Sequence, residues 1–244
     1  MRRKVIFFIL AFLIGGCTTI YNPATGRKET FFIDSRTEVS LGQDMAKQIN
    51  SEMKLVTDPI MYQRLQRLAH RVAAVSDRQD VTYKFNIVDD KVFNAFAIPG
   101  GIVYINSGLM QAADDDELAA VLGHEVGHIA ARHSVKRLQA VLGYQLITSI
   151  ALGGEEKRQV LQAVDVVFNV VTLGYGRKDE LLADKLGVKY ANAAGFNPSG
   201  MITLLQKIKK ESKETGINLV FLSSHPPIEE RVKLVEQEIA FLNK

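Results

Sequence analysis

Glu117-Leu118-Ala119-Ala120-Val121-Leu122-Gly123-His124-Glu125-Val126-Gly127-His128-Ile129-Ala130-Ala131 decides how this chain reads. The stretch is apolar and helical, and Asp114-Asp115-Asp116-Glu117 places acids where the dipole of a starting helix favours them. On a helix, His124 and His128 stand one turn apart on a single face. Two imidazoles so placed can hold one zinc ion, and Glu125 between them can reach a water at that ion. The pattern points to metal-assisted hydrolysis. Gly127 costs about 1 kcal/mol relative to alanine in a helix interior, which close packing of another helix near the metal would explain.

A catalytic zinc ordinarily has a third protein ligand. His133 follows His124 by nine residues, so on a continuous helix it points to the opposite face and reads as a solvent or packing residue. Further along, Glu180-Leu181-Leu182-Ala183-Asp184 puts two carboxylates at i and i+4 on one predicted helix. Glu180 can complete a His-His-Glu site, and Asp184 can accept the distal N–H of a ligand histidine. Beside Arg177, Lys178 and Lys185, the same pair also reads as an ordinary solvated acidic face.

The N-terminus is a different kind of sequence. Arg2-Arg3-Lys4 precedes an apolar run from Val5 to Ile14 that is too short to span a bilayer, then Gly15-Gly16-Cys17. This order is that of a secretory signal, and Ile14-Gly15-Gly16-Cys17 resembles a bacterial lipobox. The resemblance implies cleavage before Cys17, lipidation of that residue and, with Thr18 following it, delivery to the outer membrane. Cys17 is the only cysteine, so no internal disulfide is available. The formal charge of +3 is local to this leader. Without its three basic residues, the remainder of the 30 balance the 27 acids. That balance argues against a nucleic-acid partner.

Residues 1–16 are therefore expected to be a signal peptide, 17–34 a lipidated cysteine and aperiodic tether, and 35–244 one catalytic domain. Within it, Ser35 to Met53 and Asp58 to Val75 read as helices, the second with Asp58 as N-cap and Pro59 at its first position. Residues 83–88, 94–97 and 102–106 read as strands of a small sheet just ahead of the motif helix. Residues 138–173 are apolar, interrupted at Gly153-Gly154, and read as a packed helical hairpin rather than a membrane span. Helices are also expected at 174–194, 199–212 and 228–242.

Four stretches follow one another along the chain: Asn94-Ala95-Phe96-Ala97-Ile98-Pro99-Gly100-Gly101, His124 to His133, Glu180 to Gly187, and Ser224-His225-Pro226-Pro227 with Arg231. With them the chain resembles the HtpX-type and CAAX-prenyl-protease-type gluzincin metallopeptidases, nearest their exported bacterial lipoprotein branch without the helical repeats that some members carry. The resemblance implies an α+β, mostly α-helical, zincin-like domain with a three-stranded sheet beside the HExxH helix. It implies one zinc ion per chain held by His124, His128 and Glu180, with Asp184 behind them, and Glu125 and His225 as catalytic residues. It also implies substrate contacts at Asn94, Tyr104 and Arg231. The partners it implies are unfolded envelope polypeptides, the lipid bilayer through Cys17, and the outer-membrane assembly machinery. A tethered chaperone with a structural or self-inhibited zinc site is the alternative reading.

Overall fold

The computed structural model describes residues 18–152, 175–215 and 228–242. The expectations for the leader and Cys17, for residues 153–173 and for His225 lie outside the described residues.

Strands β1 (Thr18–Asn22) and β2 (Arg27–Phe31) pair antiparallel. This corrects the reading of residues 17–34 as an aperiodic tether. The strands are short and polar, so no apolar alternation marks them. Their order comes from turn chemistry and docking. Asn22 Oδ1 accepts the Ala24 N–H, and its amide donates to Glu29. Gly26 supplies the positive φ of 67° that closes the turn. At the exit, the N–H groups of Phe32 and Ile33 both donate to Gln139 Oε1 on a distant helix.

Helices α1 (Ser35–Glu52) and α2 (Pro59–Ala74) follow, each capped by an aspartate, Asp34 and Asp58, whose side chain accepts a backbone N–H of the first turn. Strands β3 (Lys84–Val88), β4 (Ala95–Ile98) and β5 (Ile102–Asn106) form the three-stranded sheet in the order β3-β5-β4. β5 runs parallel to β3 and antiparallel to β4. The remaining elements are α3 (Ser107–Ala112), α4 (Asp115–Ala130), α5 (His133–Leu152), α6 (Arg177–Ala193), α7 (Gly200–Thr215) and α8 (Ile228–Leu242). No helix among the described residues is long and apolar enough to cross a membrane.

The central strand β5 is buried at every position, so its two faces feed two cores. Val103 and Ile105 pack with Phe85 and Ile87 of β3 against α2 and the motif helix α4. Ile102 and Tyr104 face the other way, toward Met45 and Ile49 of α1 and Val135 and Leu138 of α5. This parity corrects the expectation for Tyr104. Its ring is fully buried, stacks on Phe96 and donates its hydroxyl to Asn50 Oδ1, on the sheet face opposite the motif helix. A one-residue step along a strand reverses the face, and position 104 falls on the structural side.

Helix α4 is the axle of the domain, buried from Glu117 to Ala130. Asp114 and Glu117 close a capping box at its start, and Lys207 of α7 also reaches Glu117. Its C-terminus is tied to a buried ionic cluster. Arg78 pairs with Glu38 of α1 through two nitrogens and donates to the Ile129 carbonyl, while Glu38 accepts the Gly100 N–H of the β4–β5 turn.

Candidate active site

The site exists because α4 and α6 meet backbone to backbone. A Cβ on Gly123 would lie 2.8 Å from the Gly187 carbonyl oxygen, and one on Gly187 would lie 2.9 Å from the His124 nitrogen. One on Gly127 would lie 3.0 Å from Leu186 Cβ. Small residues one turn apart on both helices thus let the axes approach. Gly127 has the helix neighbour that its cost in the sequence called for. At that distance the inward face of α6, carrying Glu180 and Asp184, lies directly on His124 and His128.

Three ligand atoms converge there. His124 Nε2 and His128 Nε2 are 3.0 Å apart, and each is 3.5 Å from an oxygen of Glu180. All three side chains are buried, and together they can hold one metal ion. Nitrogen and oxygen ligands about 2.1 Å from a tetrahedral ion stand roughly 3.4 Å from one another, so the donor set and its spacing fit zinc. The tautomer of His124 agrees. Its Nδ1 lies 2.9 Å from Asp184 Oδ1, which Arg231 grips through Nε at 2.7 Å and Nη2 at 2.6 Å. A carboxylate so held only accepts, so Nδ1 carries a proton, and once the ring gives up its other proton Nε2 offers its lone pair to a metal.

The electrostatics follow from burial and these pairs. Burial alone would raise the Asp184 carboxyl, but the Arg231 charge and hydrogen bonds outweigh it and hold it at about 2. Burial would likewise discharge His124, yet Asp184 and Glu180 raise it to about 9. Glu125 is buried beside the cluster. Burial, with the Glu180 charge adding to it, lifts its carboxyl to about 7 against the opposing pull of His124, the Ala97 N–H and Arg231. A carboxyl near neutrality is poised to take and return a proton.

Asn94 is half-buried just before β4, an edge strand of the sheet, and its carbonyl accepts the Asn106 N–H. Alternate residues on an antiparallel strand face opposite ways, so Ala95 and Ala97 direct their backbone groups outward, toward the Glu125 side. Arg231, expected to touch substrate, is instead 1% exposed and locked behind Asp184. Its position in the site is therefore behind the ligands.

His133 departs most from its sequence reading. It is 2% exposed, and its Nδ1 lies 2.9 Å from His128 Nδ1. His133 does not fall on the opposite face because α4 stops at Ala130. Arg132 takes a left-handed φ of 56°, which breaks the helix and redirects the chain before α5 begins. No glycine or proline marks that break in the sequence. Tyr175 was also missed. Its ring stacks on His128 with centroids 4.0 Å apart, and its hydroxyl hydrogen-bonds Ser134 Oγ. It precedes α6, and only the fold brings it to the motif.

The geometry agrees with comparisons to known proteins. A family model described as peptidase family M48 matches residues 59–239. The chain is 28% identical over 221 residues to the mitochondrial metalloendopeptidase OMA1 of Schizosaccharomyces pombe, covering 89% of this chain and 65% of that protein. It is 27% identical over 214 residues to a beta-barrel assembly-enhancing protease of Yersinia pestis, covering 83% of this chain and 43% of that one. The Escherichia coli K12 protein of the same name is 23% identical over 247 residues, with 95% and 51% covered. The chain thus spans roughly half to two thirds of the length of these relatives.

Proposed function

The chain belongs to peptidase family M48; from that premise we propose that it is a zinc-dependent metalloendopeptidase of the bacterial envelope, cleaving misfolded or misassembled envelope and outer-membrane proteins. The observation that carries the chemistry is the convergence of His124, His128 and Glu180 at 3.0–3.5 Å beside a buried Glu125. The envelope address rests on the leader and Cys17, together with similarity to proteases named for beta-barrel assembly. In this reading residues 1–16 are removed, and Cys17 anchors the rest in the outer membrane, facing the periplasm.

When bound, zinc supplies the Lewis acidity that lets water attack an amide at neutral pH. His124, His128 and Glu180 hold it, while Asp184 and Arg231 fix His124. Glu125 takes the proton of the attacking water and returns it to the leaving amine. His225 is assigned to the oxyanion, a role worth on the order of 3 kcal/mol for comparable donors. An extended substrate adds along β4, next to Asn94, on the side to which the backbone groups of Ala95 and Ala97 point.

The test is cleavage of an unfolded outer-membrane protein by the residue 18–244 form, stripped of metal and then restored with zinc. Activity should vanish and return, and Glu125→Gln should abolish it while keeping zinc. A Glu125→Gln variant as active as wild type would refute the general-base role.

A further inference from the structure

The two ligand histidines are supported differently. His124 donates Nδ1–H to Asp184, a carboxylate tied to Arg231. His128 presents its Nδ1 to another imidazole, His133 Nδ1, at 2.9 Å. Two ring nitrogens share a hydrogen bond only when one carries the proton and the other the lone pair. The metal-site reading, on which this inference rests, requires His128 Nε2 to be bare. The neutral ring must then carry its proton on Nδ1 and donate it to His133. His133 in turn is left with its own proton on Nε2. That nitrogen lies 3.5 Å from Asp179 Oδ1 and has no hydrogen-bond partner among the described residues.

We propose that His133 is the positioning residue for His128: a neutral acceptor that fixes the tautomer and orientation of the second metal-binding histidine.

Three observations support this assignment. The backbone is bent to achieve it. Arg132, a non-glycine residue at φ 56°, turns His133 back toward the motif. Such outliers persist only where the surroundings hold them. Arg132 is held by Ser35 Oγ at 2.7 Å, by Asp80 Oδ2 at 3.0 Å, and over the Phe31 ring. The rings are also clamped, because Tyr175 stacks on His128 and tilts across His133. Finally, a neutral acceptor suits the charge of the site. Glu125, Glu180 and Asp184 are already buried there. An imidazole sets the tautomer without burying a further carboxylate, whose desolvation would need another partner.

The experiment measures zinc affinity of the full mature-length chain by chelator competition for wild type, His133→Leu and His133→Asn. Leucine removes the acceptor. Asparagine places an oxygen near the position of Nδ1 and keeps it. Loss of an outer partner costs a ligand roughly 10–100-fold in metal affinity. His133→Leu should show that loss, and His133→Asn should recover most of it. A packing role alone would not discriminate the two in this direction. In parallel, ring-nitrogen NMR of zinc-loaded wild type should find His128 protonated on Nδ1 and His133 on Nε2. That measurement decides the matter should the leucine variant fail to fold. Wild-type affinity in His133→Leu, no recovery in His133→Asn, or a proton on His133 Nδ1 would each overturn the inference while leaving the metal site standing. A wild-type chain that takes up no zinc would overturn the metal-site reading and this inference together.

Discussion

Replacing Asp184 by asparagine tests the frame of the site most directly. The carboxylate is fully buried, accepts two contacts from the buried Arg231 at 2.7 and 2.6 Å, and accepts a third from His124 at 2.9 Å. Charges centred about 4 Å apart attract by about 4 kcal/mol at an effective dielectric near 20. Removing one member of a buried pair costs about 3–5 kcal/mol, because the other charge is left behind. The carboxyl is held at about 2 rather than 3.8, which by linkage corresponds to roughly 2.5 kcal/mol. Asp184→Asn should therefore lower unfolding stability by about 2.5–5 kcal/mol at pH 7, read by urea denaturation of metal-stripped protein. The sign against pH follows from the depressed value. The stabilisation is complete above about pH 4 and is lost as pH falls toward 2. The gap between wild type and Asp184→Asn should close over that range. A variant as stable as wild type at pH 7, or a gap that widens in acid, would refute the assignment of Arg231 and Asp184 as the anchor behind His124.

Gly187→Ala should destabilise by about 1–3 kcal/mol and weaken zinc binding, since its Cβ meets the His124 backbone nitrogen at 2.9 Å and neither helix can yield locally. Thermal unfolding and chelator competition check both effects. Arg78→Met should cost about 3 kcal/mol by leaving the buried Glu38 charge opposed, among the described residues, by the longer Arg132 contact at 3.7 Å and the Gly100 N–H, and urea denaturation measures it. Zinc uptake should release a proton, because Asp184 and Glu180 keep His124 charged up to about pH 9. Affinity should accordingly rise with pH through the neutral range, and a flat profile by competition or calorimetry in contrasting buffers would contradict that origin.

The parts of the site legible in the sequence are those whose geometry is local. The i, i+4 spacing of His124 and His128 is one helical turn whatever surrounds it, and Asp58-Pro59 and Asp114 to Glu117 carry their own capping chemistry. The alternation in residues 83–88 and the continuous apolar run of 102–106 marked β3 and β5 for the same reason. Glu180 and Asp184 were visible as a pair, but with a solvated face as an equal reading. What removed that ambiguity is a long-range contact, the approach of Gly123 and Gly127 to Ala183 and Gly187 across some 60 residues of chain. The N-terminal hairpin was hidden because its order comes from docking on Gln139, not from any apolar period. Tyr104 went to the wrong role because strand parity is set by which face the helices cover. Arg231 went to the wrong place because burial beside Asp184 depends on where α8 packs. His133 shows the limit most sharply. A helical wheel assumes continuity, and the turn at Arg132 is stabilised by Ser35, Asp80 and Phe31, all remote in sequence. The chemistry of this chain was determined by residue types and local spacing. Which groups stand behind that chemistry was decided by tertiary packing, because the partners that orient a buried histidine are recruited through space and not along the chain.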